Sequence, residues 1–225
     1  LEVNIGMEPD RQGPIASAAK SVYSNLLGII IQERKLNSAE EKVVDYYPEM
    51  MEIQDRQGPK LGRYAFPKDK DITFRQLIAN TSGYMKPEET PGKVFHYQTY
   101  GMNILTHALA KIYGYYDVTD PEGSIGFGQL IKTKLAERIG TDWNYRQTNF
   151  DLHHQARLNI FGYYCQIYTT ARDLARLGFF SQCAQAWFTF SRISAQRLHD
   201  IVRPTAHWAI QLLYNFVLPG SNSAF

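Results

Sequence analysis

The chain has 225 residues, 44% of them hydrophobic, enough for one substantial core or one large domain with a subdomain. Its formal charge of +2, without a run of like charges, argues against nucleic acid or an anionic membrane surface as a partner. No apolar stretch reaches the length of a membrane span, and no signal peptide opens at Leu1, where a residue other than Met fits a processed or trimmed start.

Residues 1–6 alternate enough for a short strand, and the Gly/Pro-containing turn at 7–14 leads into the first helix. That helix, 15–35, places Val22, Leu26, Ile29 and Ile30 at helical spacing, with Leu27 and Ile31 widening the stripe, so most of it is expected to be buried. Ser17 is expected to be its N-cap. Lys20 follows three residues later on the same face, so its amine can turn back to the Ser17 hydroxyl. A serine hydroxyl becomes a nucleophile when a base takes its proton, and an amine serves as that base when burial penalises its charged form. Taken alone, a plain helix cap followed by an ordinary lysine is the stronger reading of one Ser-x-x-Lys.

Residues 35–52 read as a connector and a short helix, capped by Asn37 or Ser38 and burying Val43, Val44, Tyr46 and Tyr47. A helix over 71–80 opens on Asp71 or Thr73 and ends at Thr81-Ser82-Gly83. Helices are expected over 102–112 and about 129–138, and the Gly-containing stretch 123–128 reads as a turn rather than a phosphate loop. Residues 141–158 are polar and read as irregular. Residues 161–169 read as a strand or buried extended segment, and Thr170 caps a helix over 171–180. The tail beyond Ser181 carries no recognisable motif, although 184–202 has helical character and 206–218 is an apolar strand or helix. Cys165 and Cys183 are two thiols or one disulfide. His153-His154 lacks a third ligand at metal spacing and reads as a solvated pair.

The segment PGKVFHYQTYGMNIL, residues 91–105, resembles the second signature of the serine β-lactamase and penicillin-recognising superfamily. It is closest in pattern to the branch of class C β-lactamases, esterases and nylon-oligomer hydrolases. Tyr97 matches that branch's catalytic tyrosine without a gap, and Gly101, Asn103, Ile104 and Leu105 match the helix after it. ASAAKS (16–21) resembles the start of the nucleophile helix, ITFRQLIANTSGY (72–84) the Thr-Ser-Gly segment, and TTARDLARLG (169–178) a later helix. The likeness spans about residues 14–180, with the four segments in family order.

This resemblance implies an α/β (α+β) fold, an antiparallel sheet flanked by helices plus a helical subdomain. The sheet-containing domain is expected from residues 1–35 and 166–225, and the mainly helical subdomain from 36–165. It implies catalysis by Ser17 as nucleophile, Lys20 as base and Tyr97 as acid and base, with Lys20 favouring the phenolate. The Ser17 N–H would be one oxyanion donor, and no metal or cofactor is called for. The substrate class is a small molecule or peptide carrying an ester, amide or lactam carbonyl. His96, adjacent to Tyr97, is expected on the opposite face of an extended segment.

Two departures stand out. Thr99 occupies the position of a substrate-orienting asparagine, and one hydroxyl does not span the same two partners. The third signature, a Lys/His-x-Gly on a late strand, is absent, because Lys132-Thr133 is followed by Lys134 in a predicted helix. With only 16 residues before Ser17, the fold is expected to be incomplete at both ends. A non-catalytic penicillin-recognising binding protein or inactive homologue is therefore the alternative to a serine hydrolase.

Overall fold

A computed structural model describes residues 10–149 and 158–190; the expected strand at 1–6, His153-His154 and the tail beyond 190 lie outside the described residues. The long buried helix α1 (Ala19–Gln32) forms because Val22, Leu26, Leu27 and Ile30 recur on one side, and all four are fully buried. It packs against α3 (Thr99–Ile112), whose Met102, Leu105 and Leu109 close the same core. Helix α3 starts earlier than the expected residue 102, directly after Gln98 in extended conformation.

Beside these helices lies a three-stranded antiparallel sheet of β1 (Gly13–Pro14), β2 (Asn144–Asn149) and β3 (Tyr163–Thr169), in the order β1-β3-β2. Gly13 faces Thr169, and Asn144 faces Tyr168. Strand β2 corrects the reading of 141–158 as irregular. Its residues NYRQTN have little apolar alternation, and pairing with the apolar β3 makes the strand. Tyr145 meets α4 (Phe127–Ile131) at Gly128, where an added Cβ would lie 2.9 Å from the Tyr145 Cβ. Gly128 thus lets helix and strand approach closely.

The expected short helix within 35–52 is instead two 3-10 turns, Val43–Asp45 and Pro48–Met51, because Pro48 cannot continue a hydrogen-bonded helix. Helix α2 (Phe74–Ile78) is shorter than 71–80 and opens on Thr73 rather than Asp71. Thr73 Oγ1 accepts from Gln76 N at 3.3 Å, and Gln76 Oε1 accepts from Thr73 N at 3.0 Å. The expected helix over 129–138 passes from α4 into a π-helical turn, Lys132–Ala136. Thr133 sits there with its hydroxyl on Gln129 O, not on a strand.

The first part of the segment read as extended from Phe161 is a helical turn, α5 (Leu158–Phe161). Its carbonyls have no helical continuation, so α3 supplies partners: Asn103 Nδ2 donates to Phe161 O at 2.8 Å, and His107 Nδ1 lies 2.8 Å from Ile160 O. Helix α6 (Ala171–Phe190) runs beyond the expected 180, with Thr170 Oγ1 accepting from Asp173 N at 3.1 Å. Cys165 is a free, buried thiol; Cys183 stands on α6, and its side chain lies outside the described ones.

One buried acid shapes the loops beside the first helices. Asp69 is 0% exposed and accepts from Phe66 N at 3.0 Å, Met85 N at 3.1 Å and Lys68 Nζ at 2.8 Å. Gly83, with φ 58°, makes the turn beside it, and an added Cβ would fall 2.5 Å from Glu89 O.

Candidate active site

Ser17 is not the expected helix N-cap. It lies inside a 3-10 turn, Ala16–Ala18, between β1 and α1, and neither helical end there has a side-chain cap. The preceding Ala16 has φ 45°, a left-handed conformation that non-glycine residues adopt at a cost of about 1–3 kcal/mol. That turn presents Ser17, half-buried, at the mouth of the α1 helix. The turn and α1 are both tied to the sheet: Ile15 N donates to Ile167 O at 3.0 Å, and Tyr23 OH on α1 donates to Cys165 O at 3.2 Å.

One helical turn on, Lys20 is 9% exposed, and its Nζ donates to Ser17 Oγ at 3.4 Å. Tyr97 arrives from the loop before α3, and its hydroxyl donates to the same Ser17 Oγ at 2.5 Å. The Lys20 ammonium also lies 4.9 Å from the centre of the Tyr97 ring. Three residues singled out in the sequence are thus in mutual contact. Thr99 begins α3 and, with Tyr97, lines a cavity of about 420 Å³.

Tyr97 itself is 43% exposed, so packing alone does not aim it. Its neighbours do. His96 N donates to Asn80 O at 2.8 Å, and Gln98 N donates to Asn80 Oδ1 at 3.3 Å, so Asn80 grips the chain on both sides of the tyrosine. Gln98 Nε2 adds a bond to Ser82 Oγ at 3.2 Å. Asn80, Ser82 and Gln98 were not singled out as site residues in the sequence. The one signal available was that Asn80 and Ser82 belong to the Thr-Ser-Gly segment.

His96 lines the same cavity as Tyr97, with Nδ1 2.8 Å from Glu89 Oε1. Glu89 also receives Lys86 Nζ at 2.9 Å. Burial pushes Glu89 up, but the bonds and charges of Lys86 and His96 reverse this and leave it below the ordinary carboxylate value. Among the described residues, no group of three or more His, Cys, Asp or Glu is placed to hold a metal ion. No helix among them is long and apolar enough to cross a membrane.

The Beta-lactamase family model matches residues 1–198. The chain belongs to the Beta-lactamase family. The family read from the four segments therefore holds, and the small antiparallel sheet with helices is the mixed α/β fold expected of it. Among solved structures, SurE with D-Leu is similar at 15% identity and TM-score 0.51, over 79% of this chain and 43% of SurE. A class C β-lactamase from Rhodobacter sphaeroides is similar at 15% identity and TM-score 0.48, over 78% of this chain and 52% of that one. FmtA from Staphylococcus aureus follows at 15% identity and TM-score 0.45, over 77% and 52%. This Beta-lactamase family chain thus spans about half the length, or less, of these proteins. No curated protein matches its sequence.

Proposed function

We propose that the chain is a serine hydrolase that works through an acyl-enzyme, with small-ester hydrolysis as its most accessible reaction. The observation that carries the reading is the convergence of Lys20 Nζ and Tyr97 OH on Ser17 Oγ, at 3.4 and 2.5 Å. In this reading Ser17 Oγ attacks the carbonyl carbon while its proton passes to Lys20. Tyr97 protonates the leaving oxygen as the carbon–oxygen bond breaks. Water then attacks the acyl carbonyl and gives its proton to Tyr97, and Ser17 Oγ leaves with the proton that Lys20 had taken. The Ser17 N–H stabilises the oxyanion. Activated esters ask least of an oxyanion hole with one assigned donor, which is why they precede amides and lactams here.

A second reading, a non-catalytic binding protein of the same family, draws on Thr99 and the absent third signature. Steady-state hydrolysis of 4-nitrophenyl acetate separates the two. The hydrolase reading predicts enzyme-dependent nitrophenolate release that Ser17→Ala abolishes; release equal to buffer from folded wild-type protein supports the binder.

A further inference from the structure

Residues 92–97 are all exposed, so burial does little to hold the arm that carries Tyr97. Two backbone bonds close it: Gly92 N donates to Thr81 O at 2.7 Å, and His96 N donates to Asn80 O at 2.8 Å. The residue directly before Tyr97 adds a side-chain contact, His96 Nδ1 lying 2.8 Å from Glu89 Oε1. The acyl-transfer steps make no use of that contact.

Glu89 is itself fixed from the interior. Asp69, fully buried, accepts from Met85 N at 3.1 Å, and Arg63 Nη1 donates to Met85 O at 3.2 Å. Met85 is thus gripped on both sides in a left-handed conformation, φ 57°, of the kind that persists only where its surroundings enforce it. Two turns follow, with Lys86 N donating to Gly83 O at 3.0 Å and Glu89 N donating to Lys86 O at 3.2 Å. Glu89 O packs over Gly83, where an added Cβ would lie 2.5 Å away. Lys86 Nζ, 2.9 Å from Glu89 Oε1, then sets the direction of the carboxylate. The other oxygen, Oε2, is buried with no partner among the described residues, so the bonds that fix the carboxylate fall on the oxygen that meets His96.

We propose that His96 is a positioning residue for Tyr97: its imidazole, seated on the Glu89 carboxylate, keeps the exposed arm folded against Asn80 and the phenol on Ser17 Oγ. A line of contacts runs from buried Asp69 through Met85, Lys86, Glu89 and His96 to Tyr97. Holding a reacting group in place before substrate arrives lowers the cost of reaching the transition state. The inference rests on the hydrolase reading only for its effect on rate; the placing of the arm is independent of it.

The test compares His96→Leu, which deletes the ring nitrogen, with His96→Asn, which carries a donor nitrogen on the same Cγ, both in the full chain. His96 is exposed, so neither substitution disturbs the core. Amide hydrogen exchange is followed at positions 96 and 98, whose N–H groups both bond Asn80. His96→Leu is expected to speed exchange at these two amides about tenfold while those of Ile104 and Leu105 in α3 stay unchanged, and His96→Asn to restore the slow rate. In 4-nitrophenyl acetate hydrolysis His96→Leu lowers kcat about tenfold with KM little changed, and asparagine recovers most of the rate. Unchanged exchange in His96→Leu, a rise shared equally by α3, no rescue by asparagine, or raised exchange with kcat unaltered in active protein overturns the proposal. The expected exchange pattern in protein without turnover counts against the hydrolase reading alone, and turnover with unchanged exchange counts against the positioning role alone.

Discussion

The Tyr97 hydroxyl reaches Ser17 Oγ at 2.5 Å although 80 positions of sequence separate them. The contact spans two elements with independent anchors, the Ser17 turn tied to the sheet through Ile15 and the Asn80-braced loop before α3. Tyr97→Phe keeps the ring beside the Lys20 ammonium and removes only the hydroxyl. The hydrolase reading predicts a fall in kcat of about 10²–10⁴, the usual worth of a positioned acid–base group, with little change in melting temperature. Steady-state ester kinetics and a thermal melt check both halves.

Asn80 is a positioning residue in this account. It has φ 56°, so glycine keeps the backbone conformation while deleting the amide that holds Gln98 N. Asn80→Gly is expected to lower kcat about tenfold, comparable to one lost neutral hydrogen bond. Asn80→Asp retains the acceptor and should recover most of the rate. Recovery by aspartate would not follow if Asn80 served only as a flexible turn.

Each part of the candidate site carries a local signal in the chain, although Tyr97 lies 80 positions from Ser17. Ser17 and Lys20 meet through helical spacing alone, and Tyr97 lies in an ungapped motif. The strand Asn144–Asn149 was not legible, since its polar residues become a strand only by pairing with β3. Ser17 was misread as a cap because the left-handed Ala16 before it, visible only in three dimensions, inserts an extra turn. Asn80 escaped notice for a similar reason: its side chain acts on Gln98, 18 positions away.

Glu33 links the end of α1 to the π-helical turn, accepting from Lys134 at 2.8 and 3.0 Å and from Tyr113 OH at 2.5 Å. Burial raises its pKa, but the bonds from Lys134 and Tyr113 and the charges of Lys134 and Arg138 bring it below the ordinary 4.5. The folded carboxyl therefore binds its proton more weakly than the unfolded one. Its stabilising contribution is complete above 4.5 and is lost as pH falls through the lower folded value. Urea midpoints between pH 7 and pH 3 should fall less steeply in Glu33→Gln than in wild type; parallel profiles would contradict this.

Cys165 is 5% exposed, and burial pushes its thiol up to about 12. Since the thiolate is the reactive form, iodoacetamide at pH 8 should leave Cys165 unmodified in the folded protein and alkylate it in urea. Peptide mapping reads this site separately from Cys183. Rapid native labelling at Cys165 would contradict its 5% exposure on β3.

The central claim, a nucleophilic Ser17, is tested most directly by intact-mass spectrometry after incubation with a fluorophosphonate, with Ser17→Ala in parallel. One adduct per wild-type chain is expected, carried on the peptide containing Ser17 and missing from the variant. No adduct on well-folded wild-type protein, or equal labelling of Ser17→Ala, would contradict it.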